Sequence, residues 1–450
     1  MSCFPLPLAP FEWYMLEDDR PDYPMTFSLR LRLSGQIRRD AFEAAVEDAR
    51  RRHPLLDARV DRRSRRRVCW QSAGEVAAYV DWDAAGAALR CPAGEAIDLS
   101  CEAGLRVWVR HDAGGASVVL QFHHACCDGL GALQFAGDLL AAYGIRTAPG
   151  DDRPELLPLD AGRLLARGQF ESTKPSWLGR VARFGDSLRE ACAWCSRHPA
   201  PLNLPPQSGD RPAAAGGIFQ VIRTEVLDRD ELDSLRAAAR RQEVTLNDLL
   251  LWAMFRTIVD WNARHGPVSG RMCLRVAMPA NLRSADDRAT PAANRVTMSF
   301  LTRTSRECLD PAALLSGIRR ETVQIKRTRR GLHLLKGLAA VRAVLGRLPK
   351  YFTDHRCLAT VVVSNMGEVE KQFSARFPHA DGRIVAGDLR LEEISGVPPL
   401  RLHTRAVLMV ATYAGRMTLS VRCDPHTFDS AQTEEFLATY LGCLRGKISR

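Results

Sequence analysis

Residues 121–131 run QFHHACCDGLG. Two adjacent histidines, two adjacent thiols and one carboxylate stand between an apolar strand pattern and a helix pattern. On a regular strand Val118, Leu120, Phe122 and His124 share one face, while Val119, Gln121 and His123 share the other. The two histidines therefore point in opposite directions and do not act as a pair. One faces a cavity while the other packs. Asp128 falls at the entry to the next helix, where a carboxylate caps backbone N–H groups or pairs with an arginine. Either role stiffens the turn that carries His124. Gly129 permits a close approach or a positive φ. A histidine at such a turn suits general-base work, because its ordinary pKa lies near neutrality. Cys126 and Cys127 qualify as nucleophiles only in an electropositive, accessible setting.

Working outward, "LRVWVRHDAGGASVVLQFHH" (105–124) predicts two strands joined by a glycine turn. "LGALQFAGDLLAAYG" (130–144) predicts a helix, with Leu133, Ala136, Leu140 and Tyr143 on one face and Gly144 as its stop. Upstream, "TFSLRLRLSG" (26–35) alternates like a half-buried strand. "DAFEAAVEDARRRH" (40–53) follows as a helix, with Asp40 and Glu43 spaced as a capping box. Residues 145–215 are richer in Pro, Gly and Arg and serve as a connection holding a helical piece near 176–196. Beyond it come a strand at 218–226, a helix from Asp228 and an apolar helix from Thr245. "RMCLRVAMP", "NRVTMSFLTR" and "LATVVVSN" predict further strands, "RAVLMVATYAGRMTLSVRCD" a hairpin turning at Ala414-Gly415, and the segment after Ser430 a closing helix. The expected fold class is α/β, in α+β layers, with two lobes: 1–150 as the N-terminal lobe, 151–215 as connection and 216–450 as the C-terminal lobe.

The 450 residues are 46% hydrophobic and 26% charged, as in ordinary globular chains. The net charge of +11 favours an anionic partner, such as a phosphorylated cofactor, an acidic carrier protein, a membrane surface or nucleic acid. No run reaches the length of a membrane span, and the N-terminus lacks a signal-peptide pattern. Thirteen scattered cysteines, an odd number, fit reduced thiols and a cytoplasmic location better than a disulfide framework.

The pattern H-H-x-x-x-D-G, here His123 to Gly129, resembles the signature of the thioester-dependent acyltransferases related to chloramphenicol acetyltransferase. Among these are peptide-synthetase condensation domains, polyketide-associated acyltransferases, plant alcohol acyltransferases and bacterial wax-ester synthases. "RHPLLDARV" (52–60), "TLNDLLL" (245–251), "RVAMPANLR" (275–283), "NRVTMSF" (294–300) and "VVVSNMGE" (361–368) resemble further segments of these proteins, in order, over nearly the whole chain. The resemblance implies a two-lobed fold with a tunnel between lobes. It implies His124 as the base toward an alcohol or amine acceptor, and an acyl-CoA or acyl-carrier-protein thioester as donor. No permanently bound cofactor and no metal are expected. Asp128 is expected to be structural, paired to an arginine; His123 is secondary. Gly129, Ser364 and Asn365 are expected to line the substrate path. Many relatives carry an arginine after the double leucine of "RHPLL", where this chain has Asp57. The candidate partners of Asp128 are therefore Arg52, Arg59 and Arg275. Two rivals remain: a free-standing condensation enzyme forming an amide, and a non-catalytic relative that binds a carrier protein or lipid.

Other motifs have plainer explanations. Thr245 and Asp248 are spaced as a capping box, with a role in the substrate channel as the equal alternative. "CAWCSRH" (192–198) lacks the second half of a structural zinc site. "RRSRRR" (62–67) sits between two strand patterns as a solvated tip, and no nucleic-acid-binding signature accompanies it. Segment 319–350 carries ten cations against one acid, Glu321, interleaved with leucines. It is either a solvated helical face or a contact for CoA phosphates, an acidic carrier helix or an anionic membrane.

Overall fold

The computed structural model describes residues 3–62, 68–74, 77–91, 94–150, 152–170, 197–205, 222–328, 331–349, 354 and 356–447. The expected helix at 176–196, the zinc half-site cysteines and most of the 62–67 basic run lie outside the described residues. Two large sheets organise the chain. The first has seven strands in the order His379–Ala380, Arg383–Ala386, Leu389–Val397, Thr26–Ser34, Gly115–His123, Leu105–His111, Tyr79–Ala84. The second has six, in the order Val296–Thr304, Cys273–Asn281, Val361–Glu368, Ala406–Tyr413, Arg416–Cys423, Ile222–Leu227.

Each sheet has its own core. In the first, strand residues such as Leu29, Leu31, Val118 and Leu120 are buried with Phe42 and Val46 of helix Arg39–Arg52 and Leu133, Phe135 and Leu139 of helix Gly129–Thr147. In the second, Val276, Val361, Leu408 and Leu419 are buried with Leu250, Phe255 and Ile258 of helix Leu246–Arg264 and Phe436 and Tyr440 of helix Ser430–Arg445. The hairpin turns at Ala414-Gly415, both with positive φ (50° and 75°), where glycine removes the Cβ penalty of that conformation.

Three local expectations change. Helix Arg39–Arg52 starts one residue earlier than its spacing suggested, with Arg38 at the N-cap. Asp40 lies inside the first turn, and Glu43 takes a hydrogen bond from Arg39 Nε at 2.8 Å instead of closing a capping box. The motif helix runs through Gly144 to Thr147. Gly144 is there for room: a Cβ would stand 2.6 Å from the Pro154 ring. Finally, the lobes are not sequential blocks. Strand Leu389–Val397, from the second half of the chain, pairs antiparallel with Thr26–Ser34 in the first sheet, Leu391 opposite Leu33 and Ile394 opposite Leu31. It also packs on the hairpin strands of the second sheet, so it crosses the seam and ties the lobes together.

Candidate functional site

Strand Gly115–His123 ends at the first histidine, residues 124–127 turn, and Asp128 caps helix Gly129–Thr147. His123 is fully engaged. Its Nδ1 accepts from the Ala125 N–H at 3.0 Å, and its Nε2 lies 3.4 Å from Asp19 Oδ2. That pattern leaves the proton on Nε2 and ties the strand end to the N-terminal segment. His124 differs. Its backbone N–H donates to Met25 O at 2.7 Å, while its ring stands edge-on to Phe11 and tilted against Phe27, centroids 6.3 and 5.0 Å away. Its Nδ1 is buried with no hydrogen-bond partner of good geometry. Burial among these rings pushes its pKa below the ordinary value, against the opposing pull of its own carbonyl, Asp128 and Asn294. Burial thus favours the neutral form of the ring.

The Asp128 carboxylate is 2% exposed, yet it carries a full set of donors. Arg283 grips it bidentately, Nη1 to Oδ2 and Nη2 to Oδ1, both 2.8 Å. The Gly131 N–H donates to Oδ1 at 2.9 Å and the Arg295 N–H to Oδ2 at 2.8 Å. Burial alone would raise its pKa; the guanidinium and the two N–H groups outweigh it and hold the carboxyl below the usual range. Arg283 also donates to the Ala293 carbonyl at 3.0 Å, so one guanidinium binds the helix cap to the loop entering strand Val296–Thr304.

None of the three arginines proposed from the sequence reaches Asp128. Arg52 donates to Asp138 Oδ2 at 2.6 Å and to the Leu157 carbonyl. Arg59 bonds the Ala73 carbonyl at 2.9 Å. Arg275, on the second sheet, donates to Thr302 Oγ1 and to the Leu358 and Arg197 carbonyls. Asp57 binds the buried Arg50. His53 shares Asp138 with Arg52 at 3.1 Å, and its Nδ1 accepts from the Ala292 N–H at 2.9 Å. "RHPLLDARV" therefore props the motif helix and the same 289–295 loop without touching the His124 turn.

Asn294 escaped the sequence analysis. Its Nδ2 donates to the carbonyls of His124 and Ala125, at 2.7 and 2.8 Å, and fixes the turn from the other lobe. It opens the quoted "NRVTMSF", which was the available signal. Gly129 answers a close approach, not a positive φ: a Cβ would meet the Met366 methyl at 2.6 Å. Ser364 and Asn365 separate. Ser364 pairs across the sheet with Met409, a residue of the first core, whereas Asn365 donates to Asn247 Oδ1 at 3.2 Å and accepts from Gly367 N–H. Asn365 thus turns to helix Leu246–Arg264. Thr245 and Asp248 form the capping box. Cys126 and Cys127 are fully buried, and burial raises both thiols well above their ordinary pKa, which removes them as nucleophiles. Among the described residues no His/Cys/Asp/Glu cluster could hold a metal, and no helix is long and apolar enough to cross a membrane.

No family model matches the chain. It is 26% identical over 370 residues to an uncharacterized protein of Mycobacterium tuberculosis, covering 79% of this chain and 82% of that one. Its fold is similar to that of polyketide synthase associated protein 5 from Mycobacterium tuberculosis (TM-score 0.60, 18% identity, 99% and 98% of the two chains covered). It is similar to the starter condensation domain of rhizomide synthetase, solved with C8-CoA and Leu-SNAC (TM-score 0.65, 15% identity, 99% and 95% covered). It is also similar to trichothecene 15-O-acetyltransferase from Fusarium sporotrichioides (TM-score 0.67, 12% identity, 98% and 94% covered). The chain has the two-lobed α/β fold of condensation domains and chloramphenicol-acetyltransferase-like acyltransferases.

Proposed function

We propose that the protein is an acyltransferase that moves an acyl group from a CoA or carrier-protein thioester to an alcohol or amine, with His124 as general base. The observation that carries this reading is the contrast among three histidines. His53 and His123 are committed at both ring nitrogens, whereas His124 has a buried Nδ1 without a partner, a pKa lowered by burial, and a place on a turn braced by Asn294 and the Asp128 cap. A neutral imidazole with Nε2 open to substrate accepts a proton; a charged or bonded one does not.

In the proposed reaction Nε2 takes the acceptor's O–H or N–H proton. The freed electron pair forms a bond to the thioester carbonyl carbon, and the carbonyl π pair moves to oxygen. Collapse of that tetrahedral species re-forms the carbonyl and breaks the C–S bond. The departing thiolate takes the proton from the His124 imidazolium, which restores the base. Asp128 takes no proton in this scheme; its oxygens are occupied by Arg283 and backbone N–H groups. Its part is to hold the turn. The relatives support a thioester donor, since one of them is solved with an acyl-CoA. The net charge of +11 suits the anionic phosphates of either donor.

The test is thiol release from a panel of acyl-CoAs and acyl-carrier proteins, with alcohols and amines as acceptors and the product weighed by mass spectrometry. The reading requires acceptor-dependent thiol release with formation of the ester or amide. An amide product with carrier-bound substrates only would select the condensation variant. Tight donor binding without transfer to any acceptor would contradict catalysis and leave a binding protein.

A further inference from the structure

Helix Gly331–Leu345 is built to lie on a surface. It buries Leu332, Leu335 and Leu338 against the first core. Its other side is turned outward: Lys336, Ala339, Ala340, Ala343, Val344 and Leu345 are all exposed. Val344 keeps 80% of its surface and Leu345 55%, two adjacent large apolar side chains left in water. Between residues 322 and 353 the chain has eight cations (Lys326, Arg327, Arg329, Arg330, Lys336, Arg342, Arg347, Lys350) and no acid, against a net charge of +11 for all 450 residues. Of these, Lys326, Arg327, Lys336 and Arg347 are exposed. Val344 and Leu345 line a groove of about 580 Å³ together with Pro10. Arg342 lines it and donates to the Leu8 carbonyl at 2.9 Å, which holds the helix to the N-terminal segment.

We propose that this face docks the protein on an anionic lipid surface, Val344 and Leu345 entering the acyl boundary while Arg327 and Arg347 meet lipid phosphates. Charge complementarity selects the occupant. Long cationic side chains keep their heads at the phosphate level while apolar neighbours enter the acyl layer. Two large apolar side chains on an alanine face are few for a stable protein–protein interface, which buries roughly 800 Å² per partner, but suffice beside four exposed cations for peripheral binding. Docking here sets the groove toward lipid. It also brings helix Pro10–Glu17, whose Phe11 ring stands 6.3 Å from the His124 ring, next to the bilayer. The proposal stands whether or not the protein transfers acyl groups.

The experiment is co-sedimentation of the full-length protein with vesicles of phosphatidylcholine alone and of an equimolar mixture with phosphatidylglycerol, at low and high salt. Two variants are compared, Val344→Ser with Leu345→Ser, and Arg327→Gln with Arg347→Gln; thermal melts confirm folding, since all four side chains are exposed. Wild type is expected to sediment with the anionic vesicles and to release as salt screens the contact. The charge variant should bind about 25-fold more weakly at low salt, at roughly fivefold per cation, and the serine variant at least tenfold more weakly at either salt. Equal binding to both vesicle types, or wild-type affinity in both variants, would overturn the proposal. So would failure to bind vesicles together with capture of an acidic carrier protein that the variants lose.

Discussion

Replacing Arg283 by Gln removes the charge that faces a carboxylate buried at the seam between lobes. Asp128 retains the Gly131 and Arg295 N–H groups but loses two charge-assisted bonds of 2.8 Å. The pair is little screened, with side-chain exposures of 18% for Arg283 and 3% for Asp128. Breaking a buried pair by removing one partner costs about 3–5 kcal/mol. The two surviving N–H donors and a Gln amide at the rim bring the expectation to the lower end, about 3 kcal/mol. If the lobe unfolds as a unit of ~200 residues, that lowers Tm by roughly 6–12 °C. Asp128→Asn removes the same attraction from the other side. The double variant should therefore be less destabilised than the sum of the single ones, by about 2 kcal/mol. The pH dependence has a fixed sign. A carboxyl held below its unfolded pKa contributes stability that is present above about pH 4 and fades as pH falls through its folded value. The deficit of Arg283→Gln should be full at pH 7 and shrink in acid. Urea unfolding at a series of pH values measures both effects. Additive costs, or a deficit that grows in acid, would refute this account of the Asp128 cap.

Because burial lowers the His124 pKa, the acid limb of the transfer rate should have its midpoint below 6.5, read from kcat/KM against pH; a midpoint above that value would contradict a neutral, desolvated base. Asn294→Ala frees the carbonyls of His124 and Ala125, so kcat should fall more than tenfold with the donor KM little changed; a fall in donor affinity alone would place Asn294 in binding rather than in holding the turn. His123→Ala leaves the Ala125 N–H and Asp19 without the ring, at a cost of about 1–3 kcal/mol, so its chief effect should appear in thermal melts.

Much of the fold was legible because its signals are local. Alternation marked Thr26–Ser34, a glycine turn separated Leu105–His111 from Gly115–His123, and Ala414-Gly415 closed the hairpin. Strand Leu389–Val397 was not legible. Its register shifts between Leu391 and Glu393, which breaks the alternation, and its partner lies in the other half of the chain. The site shows the same division. His124, Asp128 and Gly129 sit within one short motif, and their placement follows from a strand end and a helix cap. Arg283 lies 155 residues from the carboxylate it grips, and one arginine among many carries no local mark of that role. Asn294 acts through its amide on two backbone carbonyls, 170 and 169 residues away, which no sequence spacing encodes. Ser364 and Asn365 are neighbours in the chain, but strand parity sets them on opposite faces, Asn365 toward Asn247.

The central claim, that His124 is the base, meets its most direct test in acceptor-dependent thiol release by His124→Ala beside His123→Ala, both checked for folding by thermal melts. The account predicts that His124→Ala stays folded and loses about 10²–10⁴-fold in transfer rate, while His123→Ala keeps most of the activity that its stability allows. A well-folded His123→Ala without turnover, beside a His124→Ala that still transfers, would contradict it.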